Sequence, residues 1–117
     1  MDQTMAPTRH AHMDVDLDPK NQFHCRIQGR DAHQVVLHRG DSITFTCGER
    51  FSIRFVRESP FAESAPPHRE TMHHSGESFL TSRVRDDAAE DRYPYILEVI
   101  REGRVFQETL EILVERV

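Results

Sequence analysis

The sequence predicts an all-β protein, a Greek-key β-sandwich of seven to eight strands. Three observations lead to this prediction. Apolar and polar residues alternate with a period of two in most segments, turn residues recur about every ten residues, and no segment shows a sustained helical period. Short strands at this spacing are typical of a sandwich, and a small barrel is the alternative architecture.

Length and charge limit the function further. The 117 residues fit one domain, and 20 acidic against 15 basic side chains give a net charge of −5. An acidic chain is poorly suited to phosphates, so we expect neither a nucleic acid nor a membrane surface as a partner. The basic residues are arginines apart from Lys20, which is typical of a GC-rich bacterial genome.

The first part of the chain, residues 1–20, is predicted to be a disordered tail that precedes a folded domain at 21–117. Its apolar residues are few and scattered among prolines, aspartates and histidines, too few to offset the entropy cost of ordering. The first residues carry no basic segment followed by an apolar run, so no secretory signal is predicted. We therefore expect a cytoplasmic protein.

The first half of the domain is predicted to contain four strands. Alternation of apolar and polar residues places them at 23–28, 33–38, 42–47 and 51–56, and the turns between them contain glycine. The strand at 42–47 has the cleanest pattern, with three apolar residues on one side and three hydroxyl residues on the other.

A long loop is predicted at 57–78, where three prolines and a glycine interrupt any pattern. Strands are predicted again at 79–84, at 93–99 and from 104 to the end, with Glu102-Gly103 as the hairpin turn between the last two. Tyr93 follows an acidic bend, and its hydroxyl is expected to bond to the backbone across that bend, as in the tyrosine corner of Greek-key sandwiches.

Three motifs resemble the strands of cupredoxin-like β-sandwiches. Residues 40–46 (GDSITFT) are similar to the family's G-D-x-V-x-W/F-x strand, 51–55 (FSIRF) to the next strand, and 91–97 (DRYPYIL) to its G-x-Y-x-Y-x-C strand. The resemblance covers about 21–117 and implies a cupredoxin-like fold, while an immunoglobulin-like sandwich is the alternative.

The resemblance also has departures. In copper-binding members the two aligned ligand positions are His and Cys, and here they are Phe51 and Leu97, which cannot bind a metal. A type-1 copper site needs a thiolate and two imidazoles that converge, so the resemblance implies a scaffold without copper. We predict no cofactor.

No catalytic signature is recognised in the remaining residues. Cys25 and Cys47 are predicted as two buried thiols, with a disulfide as the alternative, and His24 cannot activate Cys25 because neighbouring strand residues face opposite sides. His10 and His12 could chelate a metal only loosely from a tail. We therefore predict that the chain is not an enzyme.

The predicted function is a non-catalytic protein-binding or assembly module, with another chain or a second copy as its partner. The long loop is the predicted contact surface, because it holds apolar side chains on a proline-stiffened segment. The predicted partner-binding residues are Phe61, Pro66, Pro67, His68 and Met72. The alternative for Phe61 is a plug that folds back over the core. The alternative function is a metal- or small-ligand-binding sensor that uses His68, His73 and His74.

Overall fold

The computed structural model describes residues 9–62, 70–72 and 78–116. Within these ranges ten strands form two five-stranded sheets, which confirms the all-β sandwich. The described part of the chain contains no helix that could span a membrane.

The strands include the seven that the sequence predicts and three more, β1, β3 and β7. In chain order they are β1 (His10–Leu17), β2 (Phe23–Ile27), β3 (Arg30–Asp31), β4 (Gln34–Leu37), β5 (Ser42–Cys47), β6 (Arg50–Phe55), β7 (Glu70–Met72), β8 (Ser78–Arg83), β9 (Arg92–Arg101) and β10 (Arg104–Val114). Sheet A has the order β3-β2-β1-β5-β8, and sheet B has the order β4-β10-β9-β6-β7.

The prediction of a disordered tail at 1–20 is wrong for residues 10–17. These residues form β1, the central strand of sheet A, which pairs antiparallel with β2 and parallel with β5. Met13, Val15 and Leu17 point into the core and are at most 5% exposed. A few apolar residues suffice here because they alternate strictly and fall on one face of a strand that gains two neighbours. The folded domain therefore begins before residue 21.

The loop predicted at 57–78 is also interrupted by structure. Glu70–Met72 form β7, which pairs antiparallel with β6 at the edge of sheet B, and Phe61 forms an isolated bridge with Val84. Three residues are too few to show a period in the sequence, so their strand depends on the partner that β6 supplies.

Aromatic rings join the two sheets inside the core. Tyr95 of β9 contacts Phe45 of β5 edge to face, with ring centroids 5.9 Å apart, and its hydroxyl lies 3.8 Å from the sulfur of Met13. Phe55 packs between Tyr95 and Phe61, at 5.5 and 5.2 Å. Contacts of this geometry add to the burial of apolar area.

Two predicted turn features are confirmed. The Tyr93 hydroxyl donates to the carbonyl oxygen of Ala89 at 2.7 Å, as a tyrosine corner requires. Glu102 and Gly103 both have positive φ, 51° and 75°, which a two-residue hairpin turn of this type needs.

Candidate functional site

The predicted contact residue Phe61 does not reach the surface. Its side chain is 3% exposed and packs against Phe55, so the structure corresponds to the plug alternative and contradicts its assignment as a partner contact. The ring fills space at one end of the core, where burial of an aromatic side chain is strongly favourable.

Most of the other predicted loop residues lie outside the described residues. These are Pro66, Pro67 and His68 of the partner site, and His73 and His74 of the alternative metal site. The backbone of Met72 pairs with Ser52 in the register of β7 with β6. The predicted site therefore stays a prediction at these positions.

Both cysteines are buried free thiols, as the sequence predicts. Val15 of β1 pairs with Cys25 on one side and with Cys47 on the other. Two strand spacings separate the cysteines by about 9.6 Å, beyond the roughly 7 Å limit for the Cα atoms of a disulfide. Burial raises the pKa of Cys25 to about 12, with Glu108 as a further cause. Neither geometry nor charge favours a reactive thiolate there.

The two positions aligned with copper ligands lie in the core. Phe51 and Leu97 are both 0% exposed and belong to the hydrophobic core. Among the described residues, no three side chains of His, Cys, Asp or Glu come close enough together to hold a metal ion.

The outer face of sheet B carries apolar residues along its strand β9. Along β9, the inward residues from Tyr93 to Val99 are buried, as expected, yet the outward residues Pro94, Ile96 and Ile100 are apolar as well. A sheet that faces water on one side normally carries polar residues there. This face is therefore a candidate binding surface.

Three large apolar side chains are exposed among the described residues, and all of them lie on the outer face of sheet B. They are Val36 in β4, Val56 just after β6 and Val105 in β10, at 41%, 53% and 56% exposed. The register places Val36 beside Leu113 and Val105 beside Ile100, while the N–H of Val56 donates to Pro94 at 3.0 Å.

Two carboxylates on this face, those of Glu98 and Glu111, are already paired within the chain. Glu98 accepts a hydrogen bond from Gln107 and lies 3.7 Å from the guanidinium of Arg54. Glu111 lies 3.7 Å from Arg92. A partner could cover these carboxylates without leaving them unpaired, which keeps the cost of burial low.

Sequence reasoning missed this surface, although a signal for it exists. Residues 95–100 (YILEVI) are apolar at every position except Glu98, which departs from the alternation of the other strands. Such a run predicts a strand that is covered on both faces. Val36, Val56 and Val105 give no such signal because they are assembled from three separate segments.

The outer face of sheet A has the opposite character. Its side chains are histidines, hydroxyls and carboxylates that bond to one another across the strands. His10 contacts Ser42 through Nδ1 at 2.6 Å and Thr44 through Nε2 at 2.9 Å, and Thr44 contacts Thr81 at 2.8 Å. This network satisfies the polar groups of the face without a partner.

A groove of about 470 Å³ opens beside the first residues of β1. It arises because β2 pairs only with Met13–Leu17, while β5 pairs with His10–Val15, so the start of β1 has a neighbour on one side. Val35 and Leu37 of β4 contribute apolar walls, and His12 lies at its polar side.

Comparisons with known proteins support the fold. No protein-family model and no curated protein sequence matches the chain. A chain of a heme-copper terminal oxidase dimer is similar over 92% of this chain, at 10% identity and a TM-score of 0.50, and this chain spans 65% of its length. A Cu(I) structure of a methionine-to-alanine mutant of amicyanin is similar over 89% of this chain and 82% of its own, at 12% identity and a TM-score of 0.48. The likeness to the oxidase chain concerns the β-sandwich fold alone.

Proposed function

We propose that this cupredoxin-like sandwich is a non-catalytic assembly module that binds a second copy of itself through the outer face of sheet B. The observation that supports this proposal is that two exposed valines, Val56 and Val105, flank the outward apolar residues of β9 on the outer face of sheet B. Apolar side chains grouped on one surface are typical of a protein interface, whereas single exposed ones need no explanation.

A second copy is the partner that the chemistry of the face favours. In a symmetric dimer each group meets the same surface, so like charges would approach each other across the axis. Here Glu98 and Glu111 are paired within their own chain, so the two faces can meet without burying an unpaired carboxylate.

The two cysteines support the non-catalytic part of the proposal. Burial raises the pKa of both Cys25 and Cys47, which disfavours the thiolate that a nucleophile needs. Two unbridged thiols also fit a reducing compartment, in agreement with the proposed cytoplasmic location.

Sedimentation equilibrium of the full chain tests the proposal, with Val105→Lys as the interface variant. We expect a concentration-dependent dimer for the native chain and, for the variant, a dissociation constant raised by at least about tenfold, because a lysine charge would be buried in an apolar contact. Thermal stability should stay nearly unchanged, since position 105 is exposed.

Thr81→Lys is the matched control. Thr81 is exposed on the outer face of sheet A, so this variant adds the same charge to the opposite side of the molecule. The dimer should be unaffected. A native chain that stays monomeric up to about 1 mM, or equal weakening by both variants, would contradict the proposal.

A further inference from the structure

Strand β4 forms an open edge of sheet B. It is last in the strand order of that sheet and pairs with β10 on one side. The carbonyl oxygens of His33 and Leu37 accept hydrogen bonds at 3.0 Å from N–H groups on the β10 side. Because main-chain groups alternate in direction along a strand, the N–H and C=O groups of Gln34 and Val36 point away from β10. Within the described ranges these four groups have no backbone partner.

The other sheet edges differ from β4 in length, charge or cover. β3 has two residues, Arg30 and Asp31, both of them charged, and β7 has three residues. The chain next to β8 is covered in part, because Phe61 bridges to Val84. β4 has the sequence QVVL, without a charge or a proline, and Val36 is 41% exposed. Edge strands that avoid pairing usually carry such protection, so the unprotected edge of β4 is suited to accept a further strand.

The groove of about 470 Å³ described above lies beside this edge. β4 lines one side of it, and Ala11 and Ile27 of sheet A, which are partly buried, line the other. A strand added to β4 would continue sheet B and point every second side chain inward, as Val35 and Leu37 do. The groove therefore offers room for apolar side chains at alternate positions of an added strand.

The charged side chains that line the groove are paired within the chain. The Arg9 Nε lies 3.8 Å from the Asp41 Oδ2, and the His12 Nε2 lies 3.2 Å from the Asp14 Oδ1. A charged side chain entering the groove would lose water without meeting a free opposite charge. The segment that complements this groove is therefore uncharged where it enters.

The size of the edge selects a short segment as its occupant. The four residues of β4 span about 13 Å at about 3.3 Å per residue. A single strand over that length covers far less than the roughly 800 Å² that each partner buries in a stable complex of two folded proteins. The β4 strand of a second copy also uses its own Val35 and Leu37 in its core, so these side chains are not free to fill the groove.

We propose that the open edge of β4 binds a short, extended and uncharged segment of another protein by strand addition. An extended main chain presents the alternating donors and acceptors that match Gln34 and Val36, and these hydrogen bonds supply the affinity. Apolar side chains at alternate positions enter the groove and supply the selectivity. This surface is a sheet edge, distinct from the outer face proposed for self-association, and its function does not depend on that proposal.

NMR titration of the full chain tests the proposal, with an N-acetylated and C-amidated hexapeptide of alternating threonine and valine as the probe. At about 20 μM protein we expect amide shifts at Ala11, Ile27, Gln34 and Val36, and a dissociation constant between about 10 μM and 1 mM. No shifts at these residues up to about 1 mM peptide would contradict the proposal.

Val36→Pro is the variant that blocks the edge. It removes an N–H that points away from β10, so the pairing of β4 with β10 is kept, and thermal melts verify the fold. The affinity for the peptide should fall by at least about tenfold. Val36→Thr is the matched control, which keeps the N–H and should change the affinity by less than about twofold. Equal affinities of the two variants would contradict the proposal.

Two N-methylated isomers of the peptide test the main-chain contact directly. One isomer is methylated at its three valines and the other at its three threonines, so each loses the N–H groups along one edge and keeps every side chain. Only the isomer whose remaining N–H groups face β4 should bind. Equal binding of both isomers would show that side chains alone hold the peptide, which contradicts strand addition.

The same samples distinguish other occupants of the edge. Nuclear Overhauser contacts between the Val36 amide and residues 1–8 would assign the edge to the chain's own first residues. A loss of self-association in Val36→Pro, together with no peptide binding by the native chain, would assign the edge to a second copy. Either result contradicts the proposal of a segment from another protein.

Discussion

The two outer faces of the sandwich differ, although one scaffold carries both. On sheet A, outward residues such as His10, Thr44 and Thr81 form hydrogen bonds with one another. The polar groups of this face therefore have partners without a second protein chain. On sheet B, the outward residues of β9 are mostly apolar, and neighbouring valines stay exposed. The inner faces of both sheets bury apolar residues in the same way, so the two sheets differ in the side chains on their outer faces and not in their fold.

This contrast has a physical basis in what each face gains from contact. Burial of apolar area is worth roughly 25 cal/mol per Å², so covering the valines of sheet B with protein is favourable. Covering sheet A would remove water from histidines and carboxylates that already have partners, which gains little. Contact with another protein chain is therefore more favourable on the outer face of sheet B than on that of sheet A.

Deletion of residues 1–17 should give the largest effect, because it removes the central strand on which the sheet A face is built. Met13 and Leu17 leave the core, and both β2 and β5 lose their pairing with β1. We expect no cooperative thermal unfolding by circular dichroism. A melting temperature within a few degrees of the native chain is what a dispensable tail would give, and it would contradict the assignment of β1.

Adjacent substitutions in β9 separate its inner face from its outer face. Leu97 is 0% exposed, so Leu97→Asp places a carboxylate in the core and should cost about 4 kcal/mol or more of unfolding free energy. Ile96→Asp changes an outward residue and should cost about 1 kcal/mol or less. If urea unfolding shows that both variants lose the same free energy of unfolding, position 96 is as buried as position 97 and the outer face is not exposed to solvent.

Asp41→Ala tests how the start of β1 is fixed to the rest of the sandwich. Asp41 is 3% exposed, and its carboxylate accepts the N–H groups of Arg9 at 3.0 Å and His38 at 2.9 Å. Loss of these bonds leaves two donors unpaired and should cost about 2 kcal/mol. Urea unfolding measures the loss, and a change below about 0.5 kcal/mol would mean that water replaces the carboxylate.

A smaller effect is expected from pH at the solvated side of sheet A. The backbone N–H of Gln22 and the side chain of His24 hold the pKa of Asp18 below its ordinary value of 3.8. A lowered pKa stabilises the fold above the unfolded value, and this stabilisation is lost as pH falls from about 4 through the folded value. Asp18→Asn should therefore flatten the loss of stability below pH 4 in a series of thermal melts. If the variant loses stability below pH 4 as steeply as the native chain, the lowered pKa of Asp18 is not a cause of that loss.

The sequence predicts most of the strands because one buried face imposes alternation on each of them. It fails at β1, where Met13, Val15 and Leu17 alternate with acidic residues and histidine, and where low apolar content suggested a tail. The pairing of β1 with β5 joins distant segments in parallel, and local pattern does not encode such a pairing.

The candidate surfaces were less predictable than the fold. The buried position of Phe61 depends on its contact with Phe55, and an apolar residue in a proline-rich segment gives no sign of it. The groove between β4 and the start of β1 arises from strand register, which a single sequence does not fix. Of these features, only the apolar run of β9 could be recognised from the sequence.

Residue-resolved NMR at increasing protein concentration tests the central contrast most directly. Amide spectra of the native chain, recorded from about 20 μM to about 1 mM, report which residues change environment as copies associate. We expect concentration-dependent shifts at Val36, Ile100 and Val105 on the outer face of sheet B, with His12 and Thr46 on sheet A unchanged. Shifts that fall on the sheet A face, or spectra that do not depend on concentration, would contradict the account.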